Sequence, residues 1–255
     1  MLFQLVDKVI RQIEVLDPKN DAPAFSSALL QMSPALFQDF LGGKNMRDLK
    51  TAAMTVAAAQ IKIIKEIPLI VEFMGEAIRD RQTAPPVRCA LLQDLVYLVR
   101  ANDLLPDHLP GGYGLVDDCI LLRTTVPEFL EVLPPGFTTA EKERQILAFL
   151  SRSVPPLQLN LVQVLVELVW KSFHICKSLP DRDAEAMARR LIEDPLNSRP
   201  AEADMSAFRL PAGPQVSASL LGGNSYYKKG CLNISFPDGG GIAMTPSGDI
   251  IGWER

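Results

Sequence analysis

The hydrophobic period of this chain changes once, and that change constrains the fold more than any other feature. Up to about residue 193 the apolar residues recur at helical spacing; beyond about residue 218 they alternate. Between the two, Asp194 to Ser217 carries Pro195, Pro200, Pro211 and Pro214 among polar residues, which reads as a linker or a surface-hugging arm. The expected architecture is mainly α (α+β). It comprises a multi-helix bundle over 1–193, the proline-rich arm over 194–217, and a small three-stranded antiparallel β meander over 218–255.

Helix starts and stops support the first part. Leu2, Leu5, Val6, Val9, Ile13 and Leu16 make one apolar face, with Asp7, Lys8, Arg11 and Glu14 opposite. Asp17-Pro18 and Asn20-Asp21 break it. Ser33-Pro34 opens a short helix to about Leu41, with Ser33 as N-cap, and Gly42-Gly43 ends it. Asn45 can cap a long helix towards Lys65, and another spans about Pro68 to Arg79. Pro85-Pro86, Pro134-Pro135 and Pro155-Pro156 each stand shortly before an apolar helical run, where a missing N–H does least harm. Thr138-Thr139-Ala140-Glu141 is a capping-box pattern, and Asp181 can cap a last helix ended by Pro195. In the alanine-rich run from Ala52 to Ile61, small residues allow close packing.

In the C-terminal part Leu232, Ile234 and Phe236 face one way, and Asn233 and Ser235 the other. Pro237-Asp238-Gly239-Gly240 and Pro246-Ser247-Gly248-Asp249 are turns, followed by strands over Gly241 to Thr245 and Ile250 to Glu254. So small a sheet is too slight to stand alone, so its face of Leu232, Ile234, Phe236 and Trp253 must lie on the helical body or on a partner.

The segment from Leu157 to Leu179 is long enough to cross a bilayer. However, Asn160, Gln163, Glu167, Lys171 and His174 fall on one helical stripe, so it reads as a central bundle helix with one wet edge rather than a span. No stable membrane insertion is expected. A net charge of -4 and a pI near 5.3 leave no basic stripe for nucleic acid. Cys89, Cys119, Cys176 and Cys231 show no paired spacing and read as free thiols of a reducing compartment. With no signal peptide in Met1 to Lys8, the expected location is cytoplasmic.

The most unusual stretch runs from Asn102 to Asp118, with four aspartates, two prolines and three glycines between two apolar segments. Asp103 and Asp107 can cap successive turns, and Asp117 and Asp118 suit the positive end of the helix that continues through Leu122. The competing reading is a carboxylate cluster for a divalent cation, but no regular calcium-loop spacing is present. His108 and His174 have no nucleophile signature beside them, and neither Gly111-Gly112-Tyr113-Gly114 nor Gly239-Gly240-Gly241 has a phosphate-loop context. No catalytic residue, cofactor or metal ligand is therefore assigned.

Tyr97-Leu98, Asp103-Leu104-Leu105-Pro106-Asp107, Leu109-Pro110 and the Asp117-Asp118 pair resemble the signature of the YkvA-like family of small bacterial helical domains, over about residues 90–125. The signature loop is then Asp103, Pro106, Asp107, Pro110, Asp117 and Asp118; Ala101 stands where the family has a proline. A YkvA-like helical body extended by a β meander also resembles in layout the immunity proteins of type VI secretion toxins. The resemblance implies a non-enzymatic bacterial protein that occludes a toxin, a nuclease being one candidate, and a homodimer is compatible with it. Candidate partner-facing residues are Glu167, Lys171, His174, Tyr226, Tyr227 and Trp253. The alternatives are a membrane-peripheral YkvA-like protein, or a metal-dependent hydrolase using the aspartates.

Overall fold

A computed structural model describes residues 1–37, 46–100, 104–129, 137, 139–197, 224–236 and 240–254. Its helices are α1 (Leu2–Glu14), α2 (Ala22–Met32), α3 (Met46–Ile64), α4 (Ile67–Arg79), α5 (Pro85–Leu98), α6 (Val116–Phe129), α7 (Ala140–Ser151), α8 (Pro156–Ser178) and α9 (Asp181–Glu193). Short 3-10 turns cover Pro34–Phe37 and Pro110–Leu115. The chain ends in an antiparallel sheet of β1 (Ser225–Lys228), β2 (Cys231–Ser235), β3 (Gly241–Met244) and β4 (Ile250–Glu254), ordered β1-β2-β3-β4. No helix among the described residues is long and apolar enough to cross a membrane.

The mainly α architecture with a small C-terminal antiparallel sheet is as expected, with four corrections. First, α2 fills a stretch that periodicity left unassigned; Pro23 sits in its first turn, where a missing N–H is harmless. Second, the helix expected from Ser33 to Leu41 is a 3-10 turn as far as Phe37, and the rest lies outside the described residues.

The third correction concerns the centre of the bundle. It is α5, buried from Cys89 to Leu98 on every face, including the polar Gln93 and Asp94. It packs against α1, α4, α6, α8 and α9. The helix expected to be central, α8, buries Leu159, Val162 and Val166, but leaves Leu161 48% and Val164 51% exposed beside Asn160. Alternate coverage of its apolar residues is set by its neighbours, which its own periodicity does not reveal.

The fourth correction is a fourth strand. Ser225–Lys228 pairs with Cys231–Ile234 through a two-residue turn, Lys229-Gly230, with φ of 51° and 79°. Both central residues in the left-handed region is the geometry that suits a right-twisted hairpin. Asn233, expected on the outer face, is buried, with its side-chain amide donating to the Cys231 carbonyl at 3.1 Å. The Pro134-Pro135 pair, all but Gly240 of the Pro237-Asp238-Gly239-Gly240 turn, and most of the proline-rich arm lie outside the described residues.

The sheet lies on the helical body. Leu232, Ile234, Phe236, Ile242 and Met244 are buried, and β3 contacts α3 and α7. The alanine run of α3 explains the fit. Gly248 of the β3–β4 turn, at φ 80°, comes so close that a Cβ there would stand 2.4 Å from the Ala59 amide nitrogen. Lys62 pairs with Asp249 at 2.5 Å, and Arg152 donates to the Ser235 carbonyl at 3.2 Å.

Candidate functional site

The Asp/Pro/Gly loop divides into a buried half and an outward half. Tyr113 anchors the buried half: its ring stands edge-on to Phe25 at 5.3 Å, and its hydroxyl donates to the Ser153 carbonyl at 2.5 Å. Ser33 donates to the same carbonyl, and Gln60 donates to the Ser153 hydroxyl and the Phe149 carbonyl. This polar knot fixes the loop against α2, α3 and α7, satisfying groups that would be costly to bury alone. Gly111, at φ 68°, lies against α2 so closely that a Cβ would stand 2.6 Å from the Phe25 amide nitrogen.

Asp117 and Asp118 open α6 and are both buried. Asp117 accepts from the Tyr97 hydroxyl at 2.9 Å and from the Leu105 N–H at 3.2 Å. One carboxylate thus ties α5, the loop and the start of α6 together. Burial pushes its pKa up to about 6, against the lowering effect of those hydrogen bonds. Asp103 lies outside the described residues, so its place beside this pair is not described.

The outward half carries half-buried Pro106 and Asp107, exposed His108 and exposed Pro110. Asp107 and His108 face Leu5, Lys8, Val9 and Gln12 of α1, together with Val99, across a cavity of about 280 Å³. Burial raises the Asp107 pKa to about 6, and His108 opposes the shift. The cavity therefore has an apolar floor and a rim of opposite charges. Among the described residues no three His, Cys, Asp or Glu side chains are gathered to hold a metal ion. The signature residues therefore lie in two different environments.

Sequence reasoning passed over two buried polar arrangements. Asp94 on α5 is fully buried and accepts from Thr125 on α6 at 2.7 Å. Burial lifts its pKa to about 8, so the carboxyl is protonated at neutral pH. Arg123 is wholly buried and pairs with Glu66 and, at 2.6 Å, with Glu143, while its guanidinium lies 5.3 Å from the Phe137 ring centre. Burial raises the Glu66 pKa and Arg123 counters it. Neither arrangement has a local signature, because the partners are far apart in the chain.

The candidate partner-facing residues fall on separate elements. Glu167 and His174 are half-buried on α8, where Gln163 donates to Glu167 at 2.9 Å; the Lys171 side chain lies outside the described residues. Tyr226 and Tyr227 are 38% and 39% exposed on β1. Trp253 is on β4, at the opposite edge of the sheet, half-buried against the core and beneath the Lys142 ammonium at 5.6 Å. Among the described residues the exposed aromatic side chains, Tyr226 and Tyr227, are both on β1. No family model, curated protein or solved structure matches the chain.

Proposed function

We propose that this chain is a non-enzymatic protein-binding protein of the immunity type, which neutralises a cognate antibacterial toxin, a nuclease being one candidate, by covering it. The observation that carries the reading is the edge strand β1. Among the described residues it pairs on one side only, with β2, and it presents Tyr226 and Lys228 outward, while Tyr227 shares the face of Leu232 and is engaged by Thr55 of α3. An open edge offers backbone hydrogen bonds to an incoming strand, and exposed tyrosines supply rigid apolar area with a polar tip. The locked half of the aspartate loop supports a structural role for Asp117, whose carboxylate is engaged by Tyr97 and Leu105.

Co-expression with the product of the neighbouring gene tests the reading. The expected result is a one-to-one or two-to-two complex that needs no cofactor and that protects cells from the toxic neighbour. Tyr226→Asp should weaken that complex at least about tenfold, corresponding to about 1.4 kcal/mol at the interface. Failure to co-purify together with failure to protect would defeat the proposal.

A further inference from the structure

Cys89 and Cys176 are separated by 87 residues, yet their sulfurs meet at 3.6 Å between α5 and α8. Both thiols are buried, and Gln93 Nε2 reaches Cys176 Sγ at 3.5 Å and Met187 Sδ at 3.7 Å. We propose that Cys89 and Cys176 are a latent disulfide site, which hydroperoxide oxidation closes to lock the last turn of α8 onto the central helix α5.

Three observations support the site. A disulfide needs an S–S distance of about 2.05 Å, so each sulfur must move by about 0.8 Å, within the reach of a χ1 adjustment on either side. The neighbours Gln93 and Met187 are uncharged, so the neutral disulfide suits the site, whereas two thiolates around a monovalent metal ion would bury net negative charge. Access comes through Cys176, which lies two residues before the end of α8 and beside exposed Lys177 and Ser178. Opening of one terminal turn reaches this thiol without unfolding the bundle.

The chemistry balances with a hydroperoxide as oxidant. Cys176, near the end of α8 and accepting from Gln93 Nε2, is the thiol that a peroxide reaches first, and the Gln93 donor favours its thiolate. The Cys176 thiolate attacks one peroxide oxygen, the O–O bond breaks, and hydroxide leaves and takes up the thiol proton as water. Cys89 sulfur then attacks the resulting sulfenic sulfur. The S–O bond breaks, a second water leaves carrying the Cys89 proton, and the S–S bond forms. Two thiols are oxidised and one peroxide is reduced to two waters.

The test treats the reduced full-length protein with hydrogen peroxide and then alkylates it under denaturing conditions. The expected product has lost two hydrogens, yields a Cys89–Cys176 bridged peptide, and melts on the order of 10 °C higher, because the bridge closes a long loop in the unfolded chain. The Cys119→Ser/Cys231→Ser double variant should oxidise like the parent, and Cys176→Ser should give no bridge. Four alkylated thiols after treatment, a bridge to Cys119 or Cys231, or oxygen addition without a bridge would overturn the proposal.

Discussion

Replacing Asp94 by Asn isolates the cost of ionising a carboxyl at the centre of the bundle. Asp94 is fully buried on α5, with Thr125 donating to it, and its pKa stands near 8 rather than the ordinary 3.8. The folded-state pKa is raised, so its contribution to stability is fully present below about pH 4. It declines as pH rises, and is lost by about pH 8. Within that window the wild-type protein should lose about 1.4 kcal/mol per pH unit from this group, on the order of 5 kcal/mol in all. Asn does not titrate, so Asp94→Asn removes that slope. It also places amide donors where Oδ1 has no hydrogen-bond partner, a pH-independent cost of about 1–3 kcal/mol. The variant should therefore be less stable than wild type below about pH 4, match it somewhere between about pH 4.5 and 6, and exceed it by about 2–4 kcal/mol near pH 8. Asp107 and Asp117 titrate in both proteins and cancel from the comparison. Urea unfolding at several pH values from 5 to 8 reads the two slopes. Parallel stability curves for the two proteins would refute the buried, protonated carboxyl.

Gly248→Ala should destabilise the protein by about 2 kcal/mol or more, since the added Cβ meets the α3 backbone at a left-handed φ; protease sensitivity appearing first in the sheet would show the undocking. Arg123→Met leaves Glu66 and Glu143 without their shared guanidinium and should cost about 3–5 kcal/mol, measured by chemical denaturation. Tyr97→Phe deletes one donor to buried Asp117 and should cost about 1–3 kcal/mol; an unchanged melting temperature would show that this hydrogen bond does not hold the loop. Deleting residues from 218 onward removes the burial of Leu232, Ile234, Phe236, Ile242 and Met244, worth about 1.5–3 kcal/mol each, and should lower the melting temperature of what remains.

Local pattern determined much of this protein. The apolar stripe of α1, the start of α7 after Thr139 (which makes no side-chain cap bond), and the alternation of β2 are each encoded within a few residues, so their elements and the switch from helix to sheet can be read along the chain. Strand β1 escaped because Lys229-Gly230 reaches the required positive φ values without the usual asparagine or aspartate. The tertiary structure alone decided that α5 lies at the centre and that Leu161 and Val164 of α8 face outward, because coverage depends on which neighbours arrive. It also decided which polar groups would meet: Asp94 with Thr125, Asp117 with Tyr97, and Arg123 with two glutamates. Sequence spacing fixes the direction in which a side chain leaves its own helix. The partner it meets is fixed by packing across tens of residues, which is why the elements were legible and the polar pairs were not.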